Sequence, residues 1–164
     1  MSIYLYIVRH GEAEPMREQD ETRQLTEHGR WEAKRTALWL KTQVNHFDKV
    51  YVSPYLRAQQ TKSIIVDMHA ESVKTEVLQE LTPGGDASRC MDYILAKVDP
   101  KAVKDEEAVH NLLCVSHMPL VSYLIGEFTG YTPIMATAGV AKIKIDAENW
   151  KGLLETLLAP EQML

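Results

Sequence analysis

The chain has 164 residues, 45% hydrophobic and 25% charged, with a formal net charge of −5. That length suits one domain burying roughly two-thirds of its unfolded surface, and the composition argues against disorder or low complexity. The acidic balance argues against a nucleic-acid binder, which needs a surplus of Lys and Arg on one face, so any phosphate chemistry must be local.

Ile3 to Val8 is an unbroken β-branched, aromatic and aliphatic run, as expected of a strand covered on both faces in a parallel sheet. It ends at Arg9-His10-Gly11, where glycine lets the backbone turn sharply and its N–H approach a bound anion. Thr26 is placed to cap a helix whose apolar positions Ala33, Ala37, Leu40, Val44 and Phe47 alternate spacings of four and three. Lys49 to Val52 reads as a second strand. Ser53-Pro54 follows as an N-cap with proline at the first helical position, opening a helix to about Met68 with Arg57 in its first turn.

Val73 to Leu78 is expected as a third strand, Ala87 to Val98 as a helix, and Asn111 to Val115 as another strand buried on both faces, followed by Ser116-His117. The mixed-sign segment Asp99 to Glu107 reads as a solvated loop. Pro119 opens a helix with Leu120, Leu124 and Phe128 on one stripe, and Gly130 is placed to end it. Val140 to Ile145 alternates in period two, and Gly152 to Leu158 can pair with it across the Asp146 to Lys151 turn. This alternation predicts an α/β three-layer sandwich: a mostly parallel central sheet with an antiparallel edge strand and helices on both faces.

Cys90 and Cys114 lack metal-ligand spacing with each other and read as reduced core thiols. No apolar run approaches the ~20 residues of a membrane span, and Met1 to Val8 lacks the features of a signal peptide. A cytoplasmic protein is expected. His28, His46, His69 and His110 fall on predicted helix surfaces or loop edges without ligand spacing, so no metal site is expected. Trp31, Trp39 and Trp150 read as core or interface anchors.

In open α/β sheets ligands bind beyond the carboxyl ends of the strands. Arg9-His10, Arg57 and Ser116-His117 all fall at or just after such ends, and folding would gather them into one anion-seeking pocket. A lone histidine or arginine at a strand end is more often a surface or capping residue; the joint placement carries the argument.

Arg9-His10-Gly11 after an apolar strand, Ser53-Pro54-Tyr55-Leu56-Arg57-Ala58-Gln59-Gln60-Thr61 and the downstream Ser116-His117 resemble the histidine phosphatase superfamily, which includes the cofactor-dependent phosphoglycerate mutases. The likeness runs from Ile3 to about Asp146. Leu25-Thr26-Glu27-His28-Gly29, the stretch Leu78 to Asp86 and the stretch Val115 to Val121 are similar to the small SixA-type protein phosphohistidine phosphatases of bacteria. Larger relatives insert a helical lid subdomain where this chain has only the short stretch from Glu71 to Asp86 before the Ala87 helix. No lid is therefore expected, which leaves the pocket open to a side chain on a protein surface.

The resemblance implies that His10 attacks phosphorus and is transiently phosphorylated, with its other ring nitrogen bonded to a backbone carbonyl. It further implies that Arg9, Arg57 and His117 hold the phosphoryl oxygens, that Gly11 and Met118 contribute phosphate contacts, and that no cofactor is needed. Glu80 matches the acidic residue that many members use as general acid; a cap or loop carboxylate is its other reading. Arg23 could reach the phosphate or a partner protein, or be a solvated loop arginine.

The implied substrate is phosphohistidine on a phosphotransfer domain or phosphocarrier protein, hydrolysed to inorganic phosphate in a phosphorelay. A small-molecule phosphomonoesterase and a catalytically silent phosphohistidine-binding module remain alternatives. Mutase activity needs an enclosing lid.

Overall fold

The computed structural model describes residues 2–16, 18–69, 73–98 and 109–163. In chain order its elements are β1 (Ser2–Arg9), α1 (Glu27–Gln43), β2 (Lys49–Val52), α2 (Leu56–Asp67), β3 (Thr75–Val77), α3 (Ala87–Ala96), β4 (Val109–Ser116), α4 (Leu120–Thr129), β5 (Val140–Ile145) and β6 (Gly152–Leu158). Single 3-10 turns lie at Asp20–Thr22, Gln79–Leu81 and Pro160–Gln162. The segment 99–107, expected as a solvated loop, lies outside the described residues.

The strands form one sheet in the order β3-β2-β4-β1-β5-β6. β3, β2, β4 and β1 are mutually parallel, whereas β5 runs antiparallel to β1 and pairs antiparallel with β6 at that edge. β1 is thus hydrogen-bonded on both sides, with Arg9 in register with Ser116 of β4 and Val8 with Val140 of β5.

Period-two alternation on β1 explains the layers. Ile3, Leu5 and Ile7 face one core with Cys90 and Ile94 of α3 and Leu120, Leu124 and Phe128 of α4. Tyr6 and Val8 face the other, with Ala37 and Leu40 of α1 and Ala58 and Ile65 of α2. Fully burying one such aliphatic side chain contributes about 1.5–3 kcal/mol, so the doubly covered strands are where the chain is held most firmly.

Local chemistry sets the helix ends. Thr26 Oγ1 accepts the Gly29 N–H at 3.0 Å, a cap whose loss typically costs ~1 kcal/mol. Gly130, at φ 77°, closes α4 in the left-handed conformation that favours glycine.

Some expectations differ from the structure in extent or place. The third strand covers only Thr75–Val77. α2 begins at Leu56, two residues after Pro54, and its N-cap residue is Tyr55. Ser53 does not cap that helix: its Oγ accepts the Tyr55 N–H at 3.2 Å in a local serine turn. His69, expected at the surface, is buried against Phe47, with ring centroids 4.9 Å apart. Trp31 and Trp150 are partly exposed, while Trp39 packs against the α1–α2 core.

Cys90 and Cys114 are buried and unpaired, with burial pushing the Cys90 thiol up to about 12 and Cys114 well up as well. Among the described residues, only the 79–81 turn and a short loop lie between β3 and α3, and no helix is long and apolar enough to cross a membrane.

Candidate active site

The carboxyl ends of β1, β2 and β4 meet at a cavity of about 420 Å³ whose lining includes Arg9, His10, Arg57, His117 and Met118. Backbone bonds hold these ends together. The His10 N–H donates to the Ser116 carbonyl at 3.0 Å, the Ser53 N–H to the Val115 carbonyl at 3.1 Å, and the Ala138 N–H to the His10 carbonyl at 3.0 Å.

His10 is only 8% exposed. Its Nδ1–H donates to the Gly11 carbonyl at 2.6 Å, which leaves Nε2 unprotonated, and Nε2 accepts from Arg57 Nε–H at 3.3 Å. Burial lowers its pKa to about 4; the Gly11 carbonyl opposes the shift, and the charges of Arg57, Arg9 and Arg23 add to it. A neutral imidazole with an unprotonated Nε2 among three arginines is suited to attack an electrophile bearing negative oxygens.

His117 is 1% exposed, with its ring centroid 5.0 Å from that of His10 and 5.2 Å from that of Tyr55. Its Nε2 lies 2.7 Å from Ser53 Oγ, and its Nδ1 is buried without a partner. Burial first, then His10 and the three arginines, push its pKa down to about 2. Arg9 NH1 donates to the Met135 carbonyl at 2.8 Å, while its buried Nε has no partner. Burial lowers the Arg9 pKa, and Glu32 partly offsets this.

The wall facing this floor is the loop after β1. Arg57 spends both terminal nitrogens on Asp20: NH1 donates to its carbonyl at 2.8 Å and NH2 to Oδ2 at 3.2 Å. Arg23 Nε donates to Asp20 Oδ1 at 2.7 Å, and its NH1 donates to the Glu14 carbonyl at 2.9 Å. Burial alone would raise the Asp20 pKa; the bonds from Arg23 and the charge and bond from Arg57 outweigh it, and the carboxyl ends below its ordinary value. Asp20 therefore sits as an internal anion between two arginines at the cavity that Arg23 also lines.

Three of the expected site residues differ in how they meet the cavity. The Gly11 N–H does not reach toward an anion, since it donates to Thr61 Oγ1 at 3.1 Å. Glycine is required there for a different reason, because a Cβ would come within 2.5 Å of the Gly29 carbonyl. Met118 lines the cavity, and its Sδ accepts from Ser122 Oγ at 3.2 Å. Glu80 lies on the 79–81 turn; Pro83 from the following loop lines the cavity, but Glu80 is not among the lining residues.

Four contributors have no site role in the sequence reading. Ser53 contacts His117, Asp20 clasps the arginines, and Thr61 anchors Gly11. Glu32 is 3% exposed, and its two oxygens accept from the Glu12 N–H at 2.8 Å and Thr137 Oγ1 at 2.7 Å. It thereby ties α1 to the loop after β1 and to the loop before β5. Thr61 and Ser53 carried a signal in the motif itself, whereas Asp20 and Glu32 carried none. Among the described residues, one group of potential metal ligands, His28, Glu32 and Glu161, brings ligand atoms within 4.8 Å of one another. Glu32 already spends both oxygens on protein donors there.

Residues 5–98 match the family model of the histidine phosphatase superfamily (branch 1). Phosphohistidine phosphatase SixA of Escherichia coli (strain K12) is 37% identical over 158 residues, covering 95% of this chain and 93% of that protein. A SixA homolog of Haemophilus influenzae (strain Rd) is 37% identical over 134 residues, covering 77% of each. A solved structure of the protein histidine phosphatase SixA complexed with tungstate superposes with a TM-score of 0.86 at 34% identity, covering 98% of this chain and 99% of that one. Sequence, fold and the meeting of β1, β2 and β4 at one cavity agree, and the chain belongs to the histidine phosphatase superfamily.

Proposed function

We propose that this protein is a phosphohistidine phosphatase. In this reading it removes the phosphoryl group from phosphohistidine on a phosphotransfer domain or phosphocarrier protein and so damps a phosphorelay in the cytoplasm. The observation that carries the proposal is the state of His10: the Gly11 carbonyl takes its Nδ1–H at 2.6 Å, and the unprotonated Nε2 accepts from Arg57 at 3.3 Å. The likeness to SixA of Escherichia coli and to a tungstate-bound SixA supports the same substrate class, tungstate being a tetrahedral oxyanion like phosphate.

The reaction balances in two steps. His10 Nε2 attacks phosphorus as the substrate's P–N bond breaks, and the departing imidazole keeps or takes up one proton. Water then attacks phospho-His10, and inorganic phosphate leaves as His10 regains its lone pair. Arg9, Arg57 and His117 stabilise the charge on the equatorial oxygens, with Arg23 beside Arg57. Gly11 is given no oxygen to hold, since its N–H is spent on Thr61. Glu80 would serve as an acid only for a poor leaving group, whereas a protonated imidazole leaves readily. The short 79–81 turn in place of a lid supports a substrate presented on a protein surface.

The test is turnover on a phosphohistidine-bearing protein. Phosphate release well beyond one equivalent, with an acid-labile, base-stable label trapped on His10, is the expected result. Binding without turnover would mean a silent phosphohistidine reader, and a preference for alkyl phosphomonoesters would mean a small-molecule phosphatase.

A further inference from the structure

We propose that Ser53 is a positioning residue that fixes the tautomer of His117, making its Nδ1 the N–H that meets a bound phosphoryl oxygen; this rests on the reading of His117 as an oxyanion ligand. Ser53 directly follows β2 and is fully buried. Its sequence context suggests a helix cap, but α2 starts at Leu56 and leaves the hydroxyl free for another task.

One proton decides the tautomer. A serine hydroxyl has one hydrogen to donate and two lone pairs. The Tyr55 N–H can only donate, so at 3.2 Å it takes one lone pair of Ser53 Oγ. Among the hydrogen bonds of the described residues, the one partner of that hydroxyl able to accept its proton is His117 Nε2, at 2.7 Å. A ring that accepts at Nε2 carries its proton on Nδ1, and Nδ1 is the buried His117 nitrogen without a protein partner.

The opposite tautomer fails twice. With the proton on Nε2, the Ser53 hydroxyl hydrogen would be buried without an acceptor, and a lone pair on Nδ1 would be the atom left for an anion. The downward shift of the His117 pKa keeps the ring neutral in the empty enzyme. Tautomer choice therefore matters, since a neutral ring offers only one N–H.

The test is ¹⁵N NMR of the His117 ring in the wild-type protein, read together with orthovanadate binding. The expected wild-type pattern is a protonated Nδ1 and an unprotonated Nε2. Ser53→Ala should shift the ring toward Nε2–H and weaken vanadate roughly ten-fold, the scale of one lost hydrogen bond. Ser53→Thr, which keeps the hydroxyl, should restore both. A wild-type ring protonated at Nε2, or a Ser53→Ala ring unchanged from wild type, overturns the assignment. Should the alanine variant fail to fold, the wild-type spectrum still decides. A His117→Ala protein that binds vanadate as wild type does would instead overturn the reading of His117 as an oxyanion ligand.

Discussion

Floor and wall of the cavity are held by different means. His10 and His117 follow the ends of β1 and β4 and are 8% and 1% exposed; the His10 N–H is bonded to Ser116 of β4, and the His117 carbonyl accepts the Val121 N–H of α4. Asp20 and Arg23 lie on the loop after β1, more open to water, and are held by side-chain bonds to each other, to Arg57 and to the Glu14 carbonyl. A group fixed by strand register keeps its place unless the sheet breaks, while one fixed by exchangeable ion pairs can yield to a ligand. The floor is thus suited to chemistry that needs fixed geometry and the wall to admitting and releasing an anion.

The largest effect is expected at the proposed nucleophile on the floor. His10→Ala should lower kcat on a phosphohistidine protein by at least about 10⁴-fold. Because the ring is buried, its melting temperature should be measured alongside. Residual turnover near the wild-type level would remove the nucleophile from the floor altogether. Arg57→Ala comes next, at about 10²–10³-fold in kcat/KM, the scale for losing one donor to transferring oxygens.

A third test concerns pH. The His10 pKa lies near 4, below the ordinary 6.5, so the nucleophilic form persists to lower pH. The enzyme's contribution to kcat/KM should show no inflection between pH 7 and 5. Stability carries the opposite consequence: the unfolded chain takes up this proton near pH 6.5 and the folded chain only near 4. This contribution is complete above 6.5 and is lost as pH falls from 6.5 to 4. His10→Asn should flatten that part of the denaturation profile, and an unchanged profile would place the ring in water.

The smallest effect belongs to the wall. Asp20→Asn removes the internal anion while keeping its shape, and vanadate inhibition should tighten by roughly three- to ten-fold as Arg57 and Arg23 lose their competitor. Weaker inhibition would mean that Asp20 serves to aim the arginines, and the division between floor and wall would lose its meaning.

The same division marks what local pattern could reveal. The boundaries of β2, β5 and β6 agree with the sequence reading, and β4 extends it, because period and β-branching record which face of an element is buried. Arg9, His10 and His117 line the cavity because each sits at or just after a strand end, and Arg57 joins them from the first turn of α2. What escapes is partnership across the chain. Gly11 meets Thr61 fifty positions away, and Glu32 bonds Thr137 across 105. Ser53 resembles a cap by type and place, yet only the approach of β4 beside β2 brings it His117. His69 carries no local mark of burial, and the ring of Phe47 covers it only after α1 and α2 pack on the sheet.

The pairing of β1 on both sides bears on how activity is lost with heat. Hydrogen exchange divides a protein into units that open at different free energies, with central strands opening last. His10 directly follows a strand laddered to both β4 and β5, and its own N–H and carbonyl are bonded to Ser116 and Ala138. Its placement should therefore survive until the whole sheet opens, whereas the loop carrying Asp20 and Arg23 exchanges in a shallower unit. On warming, the clasp of Asp20 on Arg57 and Arg23 should loosen first, and the proposed capacity of His10 to take a phosphoryl group should end only at global melting.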